Sequence, residues 1–175
     1  MEVRGYVKRM HGKGIVVVDN SVKVLTRSLS DVISRGDSSI LDLIEMRNII
    51  EVHAAEMAAS RATGEDLEKM DAYVREMETA KTMDDAYYNC DLSFHLAMVE
   101  ASKNVLLLSV MKAFEPFLHD VVVVSSQEDY CIEQKYGYHR AIYRAIADRD
   151  AEQAMAAVRR HLKATYDNVH MRIRS

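Results

Sequence analysis

Only one proline and six glycines punctuate 175 residues, so there are few places where a helix is forced to stop. After Asp19-Asn20 the apolar residues recur with a helical period. Val22, Leu25, Leu29, Val32 and Ile33 fall on one i, i+3, i+4 stripe that ends at Gly36. Ser38 and Ser39 stand where they can cap a helix over 40–62, with Gly64 as its stop. Further helices are predicted over 65–81, 84–101, 128–147 and 151–172. Between the second and third of these lies a fifth helix that Asn104 caps and that Pro116 is expected to kink or shorten. Asp148-Arg149-Asp150 reads as a tight turn joining the last two. The fold class expected is all-α, a bundle of six to seven antiparallel helices with short connections.

The first twenty residues differ. Two β-branched stretches flank His11-Gly12-Lys13-Gly14, which predicts a short β-hairpin ahead of the bundle. Two strands alone bury no core, so the hairpin needs something to pack on. Charge divides the chain at nearly the same place. Residues 1–27 carry six Lys/Arg and two acids, whereas the rest is net acidic. A basic head on an acidic body suggests a nucleic-acid contact confined to the N-terminus, with an ordinary basic segment as the alternative. No apolar run approaches the roughly 20 residues of a membrane span, and no signal-peptide stretch opens the chain, so a cytoplasmic location without membrane contact is expected. Cys90 and Cys131, outside any C-x-x-C pair, read as buried thiols.

Four residues carry the chemistry. Asp91 and His95 are four apart on the fourth helix and project from one face. His139 and His161 are equidistant from residue 150, inside the turn of the last helical hairpin. Each lies about 16 Å from that turn at ~1.5 Å per residue, so the two imidazoles can face each other. Three imidazoles and a carboxylate suit a borderline divalent metal, Zn²⁺ or Ni²⁺ first, with Mn²⁺ or Co²⁺ possible. On spacing alone they could equally be packing or surface residues. His11, His53, His119 and His170 have no such partners.

Several segments resemble one family. Asp91-Leu92-Ser93-Phe94-His95, followed by Ala101-Ser102-Lys103-Asn104, resembles the D-x-x-F-H…A-S-x-N signature of FadR-type C-terminal domains of the GntR family. His139-Arg140-Ala141-Ile142 through Ala145-Ile146, then Asp150, Ala154 and His161-Leu162, is similar to that family's H-x-x-I-x-x-A-I and D-x-x-x-A…H-L stretches. Glu45-Met46-Arg47 with Glu51 and Ala54-Ala55 resembles its opening helix. The resemblance implies a metal held by Asp91, His95, His139 and His161 beneath a small-molecule cavity. It also implies a homodimer, and an Arg47 that meets the carboxylate of a small organic acid effector. A guanidinium fork grips a carboxylate bidentately. Arg47 can alternatively pair with Glu51, four residues on.

Gly5-Tyr6-Val7 through Gly12-Lys13-Gly14-Ile15-Val16-Val17 resembles the wing of a GntR-type winged helix. The division expected is therefore 1–20 as a wing remnant and 21–175 as the effector- and metal-binding domain. The helices that precede such a wing, including the one that reads the major groove, are absent from this sequence. Lys8, Arg9 and Lys13 are left as candidate phosphate contacts, which position a protein without specifying sequence. The function implied is a ligand-responsive transcription regulator. The rival is a metal-dependent, hydrolase-like enzyme, since such a site can activate water. It finds little support, because no Glu-x-x-His pair occurs and the sole adjacent His-Asp, His119-Asp120, lies outside the ligand set.

Overall fold

The computed structural model describes residues 7–10, 14–17, 20–34, 40–126 and 132–174. Strands β1 (Val7–Met10) and β2 (Gly14–Val17) pair antiparallel, Val7 opposite Val17. Helices follow as α1 (Ser21–Ile33), α2 (Ile40–Arg61), α3 (Gly64–Thr79), α4 (Asp85–Ala101), α5 (Val105–Ser126), α6 (Ile132–Ala147) and α7 (Ala151–Ile173). The body is all-α. Gly36, the Ser38/Ser39 cap, the helix start at 128, Lys13, His11 and Cys131 lie outside the described residues. Among those described, no helix is long and apolar enough to cross a membrane.

The helix ends follow from side chains. Asp84 accepts from the amides of Ala86 and Tyr87, Asn104 from Leu106 and Leu107, and Asp150 from Gln153. These are N-caps that satisfy amides left over by the first turn. Gly64 does not end α2 as expected; it opens α3. Thr63 is the N-cap, in a capping box with Asp66, and α2 has already finished at Arg61. Pro116 does not shorten α5 either, which runs through it for 22 residues. A proline removes one backbone bond at a cost of about 3 kcal/mol, and the burial of Met111, Ala113, Leu118, Val121 and Val122 offsets that.

Helix α2 is the axis of the bundle, packed against α7, α4, α5 and α6. It buries Ile44, Arg47, Ile50, Glu51, Val52, Ala54, Ala55, Ala58 and Ala59, which spread around the helix rather than along one stripe. The alanines let neighbouring helices approach closely. At its far end, Arg149, at φ 62° in the α6–α7 turn, donates to Ala59 O (3.2 Å) and Ala62 O (2.8 Å). That guanidinium satisfies carbonyls at the end of α2 and fixes the α6–α7 hairpin against it. Phe94, Met70, Met98, Ile142, Ile146 and Leu162 are among the large side chains sealed in the core. Helix α1 packs on α5 and buries none of its own residues.

A second guanidinium ties α6 to α3. Arg140 donates to both carboxylate oxygens of Glu78 (2.8 and 2.6 Å) and to Asp71 (2.5 Å). Its hydrogen bonds hold Glu78 below the usual carboxylate range. A depressed carboxylate contributes stability that is present above its unfolded value and lost as pH falls through the folded one. Replacing Arg140 with Met is expected to cost about 1–2 kcal/mol near neutrality, in keeping with a partly exposed bidentate network. The difference from wild type should shrink as the pH drops below 4.5, the ordinary value for Glu78. Urea melts at pH 7 and pH 3.5 check it; an equal loss at both would mean that Arg140 acts by packing alone.

Candidate functional site

Three helices bring the four expected residues to one point. Asp91 and His95 come from α4, His139 from α6 and His161 from α7, and all four are buried. One ligand atom from each lies within 4.8 Å of all the others. His95 Nε2 is 3.1 Å from His161 Nε2, His139 Nε2 is 2.9 Å from Asp91 Oδ1, and His95 Nε2 is 3.9 Å from Asp91 Oδ2. The His139 and His161 ring centroids are 4.6 Å apart, so the two imidazoles face each other across the α6–α7 hairpin. Phe94 stands edge-on to His95 and His139 at 5.6 and 5.1 Å, an apolar wall that keeps water off that side.

The donor set fits a divalent ion. At a metal–nitrogen distance near 2.1 Å, adjacent ligands of an octahedron lie ~3.0 Å apart and opposite ones ~4.2 Å. The separations of 2.9, 3.1 and 3.9 Å lie close to those values, while the outer limit of 4.8 Å is somewhat wider, so the cluster would contract slightly around an ion. Protonation agrees. Burial, followed by the neighbouring imidazoles, pushes His161 well below the ordinary histidine value, and burial also lowers His95. Burial alone would raise Asp91, yet the imidazoles, His139 first, hold it well below the usual carboxylate range. Neutral imidazoles and an ionised carboxylate are the forms that bind metal.

Glu51, on α2, was not foreseen as part of the site. It is fully buried, 2.5 Å from His95 Nδ1 through Oε2 and 2.6 Å from Arg47 Nε through Oε1. The His95 contact is short but poorly aligned with the ring N–H, so it counts as a close charge contact rather than an ideal hydrogen bond. It still favours the proton on Nδ1 and leaves Nε2 facing the cluster, as a supporting carboxylate does for a metal-bound histidine. Burial would raise Glu51, but Arg47 and then His95 hold it at about 2. The signal in the sequence is slight: a lone acid between Ile50 and Val52, four residues after Arg47.

Arg47 therefore does pair with Glu51, though inside the protein rather than on the surface. It is 2% exposed, and its Nη2 makes no hydrogen bond among the described residues. It also borders a cavity that holds Asp91, His139 and His161, closed by Tyr138 and Asn168. The void measures about 380 Å³ with its open mouth, but its free space for water is only about 20 Å³. The cavity is thus narrow, and a ligand larger than a few atoms must spread its walls. A wider groove of about 640 Å³ between α2 and α7 contains none of the four cluster residues and lacks comparable chemistry. His53 is exposed beside Glu56, His119 meets Tyr88 edge-on and His170 stacks on Tyr166, so none joins the cluster. Asn104 caps α5, as expected. Lys8 and Arg9 lie on β1, far along the chain from the cluster.

Residues 42–164 match the FCD domain family. The chain is 26% identical over 172 residues to the HTH-type transcriptional regulator LutR of Bacillus subtilis, covering 95% of this chain and 78% of that protein. It is 30% identical over 180 residues to the Uxu operon transcriptional regulator of Escherichia coli, covering 99% of this chain and 68% of that protein. Among solved structures, a GntR protein of Streptococcus agalactiae superposes with a TM-score of 0.74 at 22% identity, over 95% of this chain and 76% of the other. These relatives are transcription regulators, not enzymes.

Proposed function

The chain belongs to the FCD-domain regulators of the GntR family, and from that premise we propose that its helical body senses a small carboxylate and controls DNA binding. Asp91, His95, His139 and His161 are the metal ligands in this reading, for Zn²⁺ or Ni²⁺. The observation that carries it is the unsatisfied Arg47 Nη2 bordering the same cavity as the cluster. With the imidazoles as neutral ligands, the buried charges are Asp91, Glu51 and Arg47, one negative in net. A divalent ion turns that to one positive, which the carboxylate of an acid cancels. Four protein ligands leave two octahedral positions open, and a bound metal supplies Lewis acidity there. Arg47 contributes the guanidinium fork, already oriented by Glu51.

The remaining parts follow in the same reading. Residues 1–20 form the wing end of a DNA-binding domain, where Lys8, Arg9 and Lys13 touch phosphate. Residues 21–175 form the sensor, and a homodimer matches the two-fold symmetry of operators; light scattering at micromolar concentration reports that state. The cavity is narrow, so in this reading an acid favours an arrangement with its walls set further apart. Only a difference in affinity between two conformations lets a ligand shift them. Val122 and Ser125 line the cavity from α5, and α1 rests on α5, which gives the change a path toward the linker Asp19-Asn20-Ser21.

A melting screen of organic acids on metal-loaded protein tests the function. A cognate acid at a hundred times its Kd stabilises by about 2.7 kcal/mol, a rise of roughly 5–10 °C for a chain of this size. If no carboxylate in a broad panel moves Tm while another ligand class does, the acid-sensing reading falls.

A further inference from the structure

The groove between the outer sides of α2 and α7, about 640 Å³, has the buried Ile44 and Leu162 among its lining. Ile49 stands on its rim, 62% exposed, and of the strongly exposed apolar side chains described it is the one that borders this groove. An isoleucine left in water beside an apolar hollow forfeits burial that a fitting surface would supply. Charge on this face is divided by helix. The exposed acids Asp42, Glu45 and Glu56 belong to α2, and the exposed bases Arg159, Arg160 and Lys163 belong to α7. The exceptions are Arg61, at the end of α2, which donates to Ser102 O, and Glu152 and Asp167 on α7, the latter bonded to Lys163 at 2.6 Å. The two helices run antiparallel, since Arg149, just before α7, bonds the end of α2, while the start of α2 shares the groove with the second half of α7. Glu45 and Lys163 therefore stand at nearly the same height, one on each side of the groove.

We propose that a second copy of this chain docks on the α2–α7 face, with Ile49 of each copy in the groove of the other and Glu45 opposite the other's Lys163. This rests on the homodimer of the reading above and deepens it by naming the contact. A two-fold axis along the helix pair lays α2 of one copy over α7 of the other, so the acidic edge meets the basic edge twice. Pairing like helices instead would set acid against acid, so charge selects the arrangement as well as favouring it. A surface that carries both the knob and the hollow is complementary to itself. Arg47, Glu51 and His161 are buried on the inner sides of these same two helices. The contact therefore lies one helix diameter, ~10 Å, from the cluster, and a shift in the cavity walls is felt by the other copy.

Sedimentation of the full chain over a dilution series, at fixed salt, tests it. Wild type is expected to dimerise at micromolar concentration. Ile49→Glu removes two apolar contacts per dimer and is expected to raise the dimer Kd by about 100-fold. Because Ile49 is exposed in the single chain, the helical circular dichroism should not change. Leu106→Glu, at a position 77% exposed on α5, is the control and should leave the Kd unchanged. Glu45→Lys and Lys163→Glu should each weaken the dimer about tenfold. The two together should restore it, because the pair is then reversed rather than broken. The proposal is overturned if Ile49→Glu dimerises as wild type does, if Leu106→Glu weakens the dimer as much, or if the double variant is no better than the worse single one. Failure of the homodimer reading looks different: wild type then stays monomeric over the whole range.

Discussion

Purified protein is expected to carry close to one divalent ion per chain, and His161→Ala to lose it. Burial and two neighbouring imidazoles act together to oppose protonation of His161. Its Nε2 lies 3.1 Å from that of His95, a separation that needs either a proton or a shared cation between the two. Loss of a supporting carboxylate such as Glu51, tested as Glu51→Gln, should weaken metal binding by about 10- to 100-fold. Loss of a direct ligand should weaken it more. An ion at a thousand times its Kd stabilises the fold by about 4 kcal/mol, so chelation should also lower Tm visibly. Elemental analysis and melting with and without chelator read both effects. Wild type free of metal after gentle purification, with His161→Ala melting as wild type does, would sink the metal site.

Arg47→Ala is expected to destabilise the protein by about 3–5 kcal/mol, quite apart from any effect on ligand. The change leaves Glu51 ionised in a site with 0% exposure, with His95 as its remaining partner. Breaking one side of a buried pair costs far more than removing both sides. Arg47→Met combined with Glu51→Gln should therefore recover much of the loss, a non-additive result that denaturant melts can measure. Because the guanidinium serves both fold and ligand, a binding defect in Arg47→Ala has meaning only after folding has been checked. A single mutant within 1 kcal/mol of wild type would show that Glu51 is not held by Arg47.

Much of this site could be read from spacing because regular helices translate spacing into geometry. His139 and His161 straddle residue 150 symmetrically, and an antiparallel hairpin then sets them at one height. Asp91 and His95 share a face for the same reason. The cap at Asn104 and the tight turn Asp148-Arg149-Asp150 were legible from local chemistry, whereas the capping role of Asp150 appears only in the structure. Gly64 was not legible, because a glycine after one helix and before another is compatible with ending the first or opening the second, and Thr63-x-x-Asp66 decides it. The burial of Arg47 and Glu51 was hidden for a different reason. Helix α2 is enclosed on several sides and shows no clean apolar stripe, so periodicity does not say which way a charged residue faces.

Helix α1 holds no buried residue, although it rests along α5. Its opening therefore exposes little apolar surface, and its free energy should lie well below that of unfolding α2, α4 or α7. In hydrogen exchange its amides should be among the first to trade with solvent and those of the core helices among the last. The segment next to the N-terminal strands is thus also the one most cheaply detached. Under the proposed function, a modest binding energy in the cavity would be enough to reposition it, with the core left intact.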